Sequence, residues 1–460
     1  MKSPQEEKMF TGRDLWRLIW PLAVEQMLQI SLGIADIVMV AHIGEESVSG
    51  VSLVDQINVL LTQIFAALAT GGAVVCSQYI GRGSRTMAEK TARQLIYTIS
   101  GIALSLLLAG LFLHRPLLRA IFGQVTPGVM EASRRYFLIT LFALPGTALY
   151  NACAALFRSR GNSAISMDIA LLVNVINIGG NAILIYGLGW GVEGVAVPTL
   201  LSRTAAAAVL LVALYRDKSL SIKGISRVVP DWHLIGKILK IGIPNGLENS
   251  TFQIGKILVL SLIASFGTQA IAANAAANTV TSFEVLPGNA CSLAMLTVVG
   301  QCCGAGKPEQ ASAYTKKLLL FAYAGFWLLN IPLLMLIGKI VSFYGMSEET
   351  TRLASCMALL HGAVGLFIWP LSFTLPNALR AAGDVAYTML VSMISMWTVR
   401  IGMSYVFRCT GIFGMTKALD WPVSFGAMGV WFAMMLDWVV RSIAFVIRFA
   451  QGSWKSKRVI

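Results

Sequence analysis

The chain has 460 residues, of which 56% are hydrophobic and 13% charged, with a mean hydropathy of +0.71. Soluble domains carry about 25% charged residues, so the composition excludes an ordinary soluble globular protein and indicates an integral membrane one. The net charge of +14 does not point to nucleic acid, because the basic residues alternate with apolar runs instead of gathering on one patch.

Residues 1–13 are polar and lack the apolar core and small-residue cleavage site of a signal peptide, so the first span is expected to direct insertion and nothing is expected to be cleaved. A membrane-crossing helix needs roughly 20 apolar residues. Runs of that kind predict twelve spans, near 15–42, 51–77, 94–113, 134–157, 166–187, 192–215, 236–265, 272–302, 315–341, 353–379, 387–408 and 424–447. The N-terminus and the even-numbered connections hold 24 Lys and Arg, from Lys2 through Arg82, Arg158, Arg227 and Lys240 to Arg458; the other side holds eight, among them Arg115 and Lys417. By the positive-inside rule both termini are cytoplasmic, which requires an even number of spans, and the expected location is the plasma (inner) membrane.

The first span carries two carboxylates, Glu25 and Asp36. Eleven residues at about 100° each bring them to one helix face, roughly 16 Å apart along the axis. Ionisable groups at this depth cost about 2.5 to 3.5 kcal/mol on insertion scales, so they suggest an ion or substrate path, the alternative being simple pairing with a polar neighbour. In the fifth span Asn174, Asn177 and Asn181 form one polar stripe, which also suits helix packing. Thr199 follows Pro198 in the sixth span, where a threonine commonly bonds its own backbone. The seventh and eighth spans hold Glu248, Lys256 and Glu284. Glu248 and Lys256 are eight residues apart, about 80° round the helix, and cannot pair as i,i+4 neighbours. For Lys256, Arg400, Asp437 and Arg441 structural ion pairing is expected. Gly81-Arg-Gly83 and Gly304-Ala-Gly306 lack the strand, spacing and Lys-Ser/Thr of a phosphate loop and are expected to be turn glycines at helix ends. Seven cysteines, mostly within spans, and four scattered histidines show no metal spacing, and no catalytic signature stands out; neither an enzyme nor a cofactor is expected.

Pro21 to Leu95 returns without a gap 223 positions later as Pro244 to Leu318, with Glu25 on Glu248, Gly44 on Gly267, Gln78 on Gln301 and Gly81 on Gly304. A second register, offset 222, sets Arg158 and Gly161 on Arg380 and Gly383, and a third, offset 235, sets Gly194-Val195 on Gly429-Val430, implying about 13 extra residues in the outer connection from Arg408 to Phe425. Six spans separate partners, so the repeats are parallel, with a pseudo-two-fold axis along the membrane normal. The expected fold is all-α: twelve transmembrane helices in two pseudo-symmetric six-helix lobes, residues 1–215 and 236–460, joined by a cytoplasmic linker at 216–235.

Trp20-Pro21 followed by Ala35-Asp36, GEESVSGVS at Gly44–Ser52, Gln78–Gly83, Asn177-Ile-Gly-Gly-Asn181, Gly194–Thr199, Ile243-Pro244, FGTQAIAAN at Phe266–Asn274, Gly300–Gly306 and LPNALRAAGD at Leu375–Asp384 together resemble the multidrug and toxic-compound extrusion (MATE) transporters of the wider flippase superfamily. The resemblance covers nearly the whole chain. It implies a V-shaped pair of six-helix lobes and antiport, in which inward Na⁺ or H⁺ drives export of amphipathic organic cations by alternating access. The family's cation site matches Asp36, Asn177, Asn181 and Thr199 here, and the proline at which its first helix bends matches Pro21. Asn181 stands where relatives often have aspartate, and the tenth span lacks the acid of another branch, so Na⁺ and H⁺ both stay open. Glu25, Glu248, Glu284 and Asn174 would line the substrate cleft. The rival readings are a lipid-linked precursor flippase, which would need cations such as Lys256 and Arg400 to hold pyrophosphate, and a membrane-embedded enzyme. The chain is expected to work as a monomer in the bilayer. Asp36 maps onto Val259 and Asn177 onto Val399, so the cation site belongs to the N-terminal half alone.

Overall fold

The computed structural model describes residues 8–123, 125–225, 229–409, 425–457 and 459–460. Lys2, Arg227, Lys417, Arg458 and nearly all of the long connection between Arg408 and Phe425 lie outside the described residues. The described residues are helical, with no strand among them. The helices are α1 (Gly12–Val40), α2 (Glu45–Gly81), α3 (Arg85–Phe122), α4 (Pro127–Ser159), α5 (Ala164–Asn181), α6 (Glu193–Arg216), α7 (Trp232–Ala264), α8 (Thr268–Glu284), α9 (Leu286–Gly304), α10 (Pro308–Ser342), α11 (Glu348–Trp369), α12 (Leu375–Ala382), α13 (Val385–Ile394), α14 (Met403–Cys409) and α15 (Phe425–Gln451). Short π-helical stretches, Ala182–Gly187, Pro370–Thr374 and Ser395–Gly402, prolong α5, join α11 to α12 and join α13 to α14.

Among the described residues eleven helices are long and apolar enough to cross a membrane. α7 falls outside them because Asn245, Glu248, Asn249 and Lys256 interrupt its middle. With α7 as the twelfth, and α9 as the apolar part of the eighth, the described residues supply the twelve spans expected. The eighth is not one helix: it breaks at Val285, just before Pro287, whose ring nitrogen cannot donate to the preceding turn. Several helices run well past their apolar stretch. α3, for example, extends to 38 residues because a helix can continue into water once it has left the bilayer. α1 starts on a capping box in which Asp14 N–H donates to Thr11 Oγ1 (3.2 Å) and Thr11 N–H donates to Asp14 Oδ2 (2.8 Å).

The duplication is written into the backbone. Gly44 and Gly267 open α2 and α8 at φ 115° and 103°, and Gly161 and Gly383 follow α4 and α12 at φ 88° and 98°. Only glycine adopts such angles without steric cost, so each half keeps the same residue at the same turn.

The chain forms two compact units: residues up to Gly246 together with Gly300–Lys307 and Val459–Ile460, and Leu247–Val299 together with Pro308–Arg458. The change of unit falls inside α7. Within the first unit, the connection after α6 is tied down. Arg160 pairs with Asp217 (2.5 Å), Lys90 with Asp231 (2.6 Å), and Gln94 Nε2 donates to Val229 O (2.7 Å). The hydrogen bond from Lys90 holds the Asp231 carboxyl below its ordinary value.

Also within the first unit, the end of α9 crosses the end of α2 so tightly that a Cβ on Gly81 would lie 1.9 Å from Gln301 O, and a Cβ on Gly304 1.9 Å from Gln78 O. The two contacts are repeat images of each other, as a two-fold crossing demands. Gly83 and Gly306 are the turn glycines, at φ 76° and 71°. Gly81 and Gly304 are instead contact glycines, a correction to the turn role expected for both pairs.

Candidate functional site

Asp36, near the C-terminal end of α1, meets the asparagine stripe of α5. Asn181 Nδ2 donates to Asp36 Oδ1 at 2.7 Å and to Asn177 Oδ1 at 3.1 Å; Asn177 Nδ2 donates to Thr199 Oγ1 at 3.0 Å. Thr199 in turn donates to Val195 O at 3.0 Å. The four residues singled out from the sequence thus form one hydrogen-bonded chain across α1, α5 and α6. Asn177 and Asn181 are buried, Asp36 and Thr199 half-buried. Both amide hydrogens of Asn181 are engaged, while its Oδ1 is buried with no hydrogen-bond partner, so an oxygen is left over beside a carboxylate. α5 passes into its π-helical turn directly after Asn181, a local distortion frequent at functional positions.

A second carboxylate belongs to this site and was missed from sequence. Asp55, in the first half of α2, accepts a hydrogen bond from Tyr136 Oη at 2.9 Å, and its charge acts on that of Asp36, as does that of Arg203. The signal was available: Asp55 is an acid inside the second span with Asn58 three residues on, whose Nδ2 donates to it at 3.5 Å, but it has no acidic repeat mate. Two carboxylates, a phenol, the amides of Asn58, Asn177 and Asn181 and a hydroxyl make an arrangement suited to a small cation or a proton.

Asn174 lies on the same stripe, one turn from Asn177, but donates to Ala170 O of its own helix at 2.9 Å. It does not join the chain. Pro21 is buried within α1, which runs unbroken from Gly12 to Val40.

The three glutamates expected in a substrate cleft are 2%, 6% and 0% exposed, and each has a partner. Glu25 accepts from Arg158 Nη1 (3.0 Å) and Ser166 Oγ (2.7 Å). Glu248 accepts from Arg380 Nη2 (2.6 Å), with Arg441 at 3.9 Å. Glu284 meets His361 Nδ1 at 2.5 Å, with Trp438 and Trp431 edge-on to the imidazole. A carboxylate this far from water needs such a partner, and these acids offer no open negative surface. Glu25 with Arg158 and Glu248 with Arg380 are repeat mates at offsets 223 and 222: the two registers read separately from the sequence are the two ends of one ion pair, present in each half. The pair ties α1 to the end of α4, and α7 to α12.

Ion pairing holds for Arg441, and Asp437 accepts from Ser395 Oγ at 2.5 Å. It does not hold for Lys256 or Arg400, which have no carboxylate within 4.0 Å among the described residues. Cys76, Cys153, Cys291 and Cys302 are buried free thiols.

The sequence model of the MatE family matches this chain twice, over residues 21–183 and again over 244–406, an interval of 223. A probable multidrug resistance protein NorM from Thermotoga maritima is 25% identical over 469 aligned positions, covering 99% of this chain and 96% of that protein. The uncharacterized transporter YisQ of Bacillus subtilis is 26% identical, covering 96% and 95%. Among solved structures, the outward-facing conformation of a multidrug resistance MATE family transporter of the MOP superfamily superposes with a TM-score of 0.84 at 19% identity, covering 95% of this chain and 94% of that one.

Proposed function

The chain belongs to the MatE family, and from that premise we propose that it is a multidrug efflux antiporter, in which entry of Na⁺ or H⁺ at Asp36 drives export of amphipathic organic cations by alternating access. The observation that carries this reading is the Asp36–Asn181–Asn177–Thr199 chain with Asp55 beside it. It is a partly buried acidic site with a spare amide oxygen, able to hold a monovalent cation or a proton where an apolar span could not. The multidrug resistance names of the relatives support the substrate class.

Coupling follows if cation and drug favour different members of one pair of conformations, since a ligand shifts such an equilibrium only by its differential affinity for the two states. The glutamates take a different part from the cleft-lining one. Glu25 and Glu248 clamp equivalent helices in the two halves, and Glu284 is enclosed with His361. The protein would act as a monomer in the plasma or inner membrane, both termini cytoplasmic. The reading is tested with purified protein in liposomes, following efflux of ethidium under an imposed Na⁺ gradient and, separately, an imposed proton gradient. Export driven by one of them is expected, and transport indifferent to both would overturn antiport.

A further inference from the structure

The second unit has a cavity of about 200 Å³ at the position equivalent to the Asp36 site, lined among others by Lys256, Val259, Asn274, Asn278, Arg400 and Trp431. The gapless register makes Val259 the mate of Asp36 and Asn278 the mate of Asp55. Both acids of the first half are therefore neutral in the second, and two cations have been added. Lys256 Nζ and the Arg400 guanidinium lie 5.3 and 5.1 Å from the centre of the same ring, Phe252. Their charges oppose each other. Arg400 is 7% exposed, sits on the π-helical stretch Ser395–Gly402, and its Nε has no hydrogen-bond partner among the described residues; its Nη2 donates to Met434 Sδ at 2.8 Å. Of the charged residues only Lys256 and Arg400 line the cavity, and neither has a carboxylate within 4.0 Å among the described residues, Asp437 acting on Arg400 from beyond that distance. Like charges this close repel, and a counter-charge between them relieves that cost.

We propose that this cavity receives the anionic end, a carboxylate or phosphate, of an amphipathic molecule. Lys256 and Arg400 would supply the counter-charge, and Asn278 and the Asn274–Trp431 pair (Trp431 Nε1 to Asn274 Oδ1, 3.1 Å) polar contacts beside it. A volume of 200 Å³ is below the roughly 300 to 1,000 Å³ of a drug-sized pocket, so the site suits one charged end and not a whole ligand. Substrates would then include amphiphiles bearing an acid group. The inference rests on the transport reading for its purpose, but its test reads binding alone.

The test titrates the purified protein in nonionic detergent with dansylglycine and with dansylglycine methyl ester, which share the aromatic body and differ in the charge. A charge-assisted contact gives the acid about a tenfold advantage or more. Lys256→Met, at an exposed position, is expected to erase that advantage and Lys256→Arg to keep it. Displacement of dansylglycine by dihexanoyl phosphatidylglycerol at lower concentration than by inorganic phosphate is expected and assigns the site to the charged end of an amphiphile, and the reverse order overturns an amphipathic ligand. Equal binding of acid and ester, an undiminished preference in Lys256→Met, or no binding of dansylglycine overturns the proposal. An anion preference that persists while gradient-driven efflux fails sinks the antiport reading and leaves this one standing.

Discussion

Asn181 uses both amide hydrogens on acceptors, one of them the Asp36 carboxylate. Losing a hydrogen bond to a charged group costs about 1.5 to 3 kcal/mol. Asn181→Ala should therefore raise the Na⁺ or proton concentration giving half-maximal export by about tenfold or more, measured in the same liposomes; an unchanged half-point would remove Asn181 from the site. The buried pair of Glu25 with Arg158 makes a different prediction. Removing one partner of a buried pair costs about 3 to 5 kcal/mol, while removing both is far milder. Thermal unfolding should show Glu25→Ala losing much more stability than Glu25→Gln combined with Arg158→Gln, and the same order should hold for Glu248 and Arg380. Asp36 and the asparagines were legible because a polar group inside an apolar run is conspicuous. Their connection to one another was not, since helical spacing places Asn177 and Asn181 on one face without saying which helix they face. The glutamates illustrate the limit: sequence exposes a costly charge but not the arginine, 133 positions away, that neutralises it.

The crossing of α2 with the end of α9 depends on two glycines that sequence alone makes look like turns. A Cβ at 1.9 Å from a backbone oxygen cannot be absorbed by a rotamer change, so the helices must part. Gly81→Ala and Gly304→Ala should each lower the unfolding temperature. Gly101→Ala, with nothing within 4 Å of its added carbon, should leave it equal or slightly higher, because alanine is favoured over glycine in a helix by about 1 kcal/mol. Equal behaviour of the three variants would mean the crossing is looser than described. Helix existence was readable throughout from apolar length. The break at Val285 was readable in principle from Pro287, but the π-helical stretches were not. A shift from i+4 to i+5 bonding leaves no compositional trace, yet such stretches flank Asn181 and carry Arg400.

At the scale of the whole molecule, one duplicated plan has diverged in charge. The family's sequence pattern occurs twice at the interval of the repeat, the positive-φ glycines and the Glu–Arg clamp recur in both halves, and the polar centres do not. The first half has Asp36 and Asp55 where the second has Val259 and Asn278, with Lys256 and Arg400 beside them. Duplication was legible from sequence because matching side chains mark it. The inversion of charge was only half legible, because Asp55 enters the argument through Tyr136 and the field it exerts on Asp36, both products of packing. The account stands on the claim that the coupling cation binds at Asp36. The direct measurement is ethidium efflux from proteoliposomes under whichever imposed gradient drives the unsubstituted protein, with Asp36→Asn alongside. Export by Asp36→Asn is expected to fall to the rate without a gradient while the protein stays folded, and undiminished gradient-driven export by that variant would contradict the account.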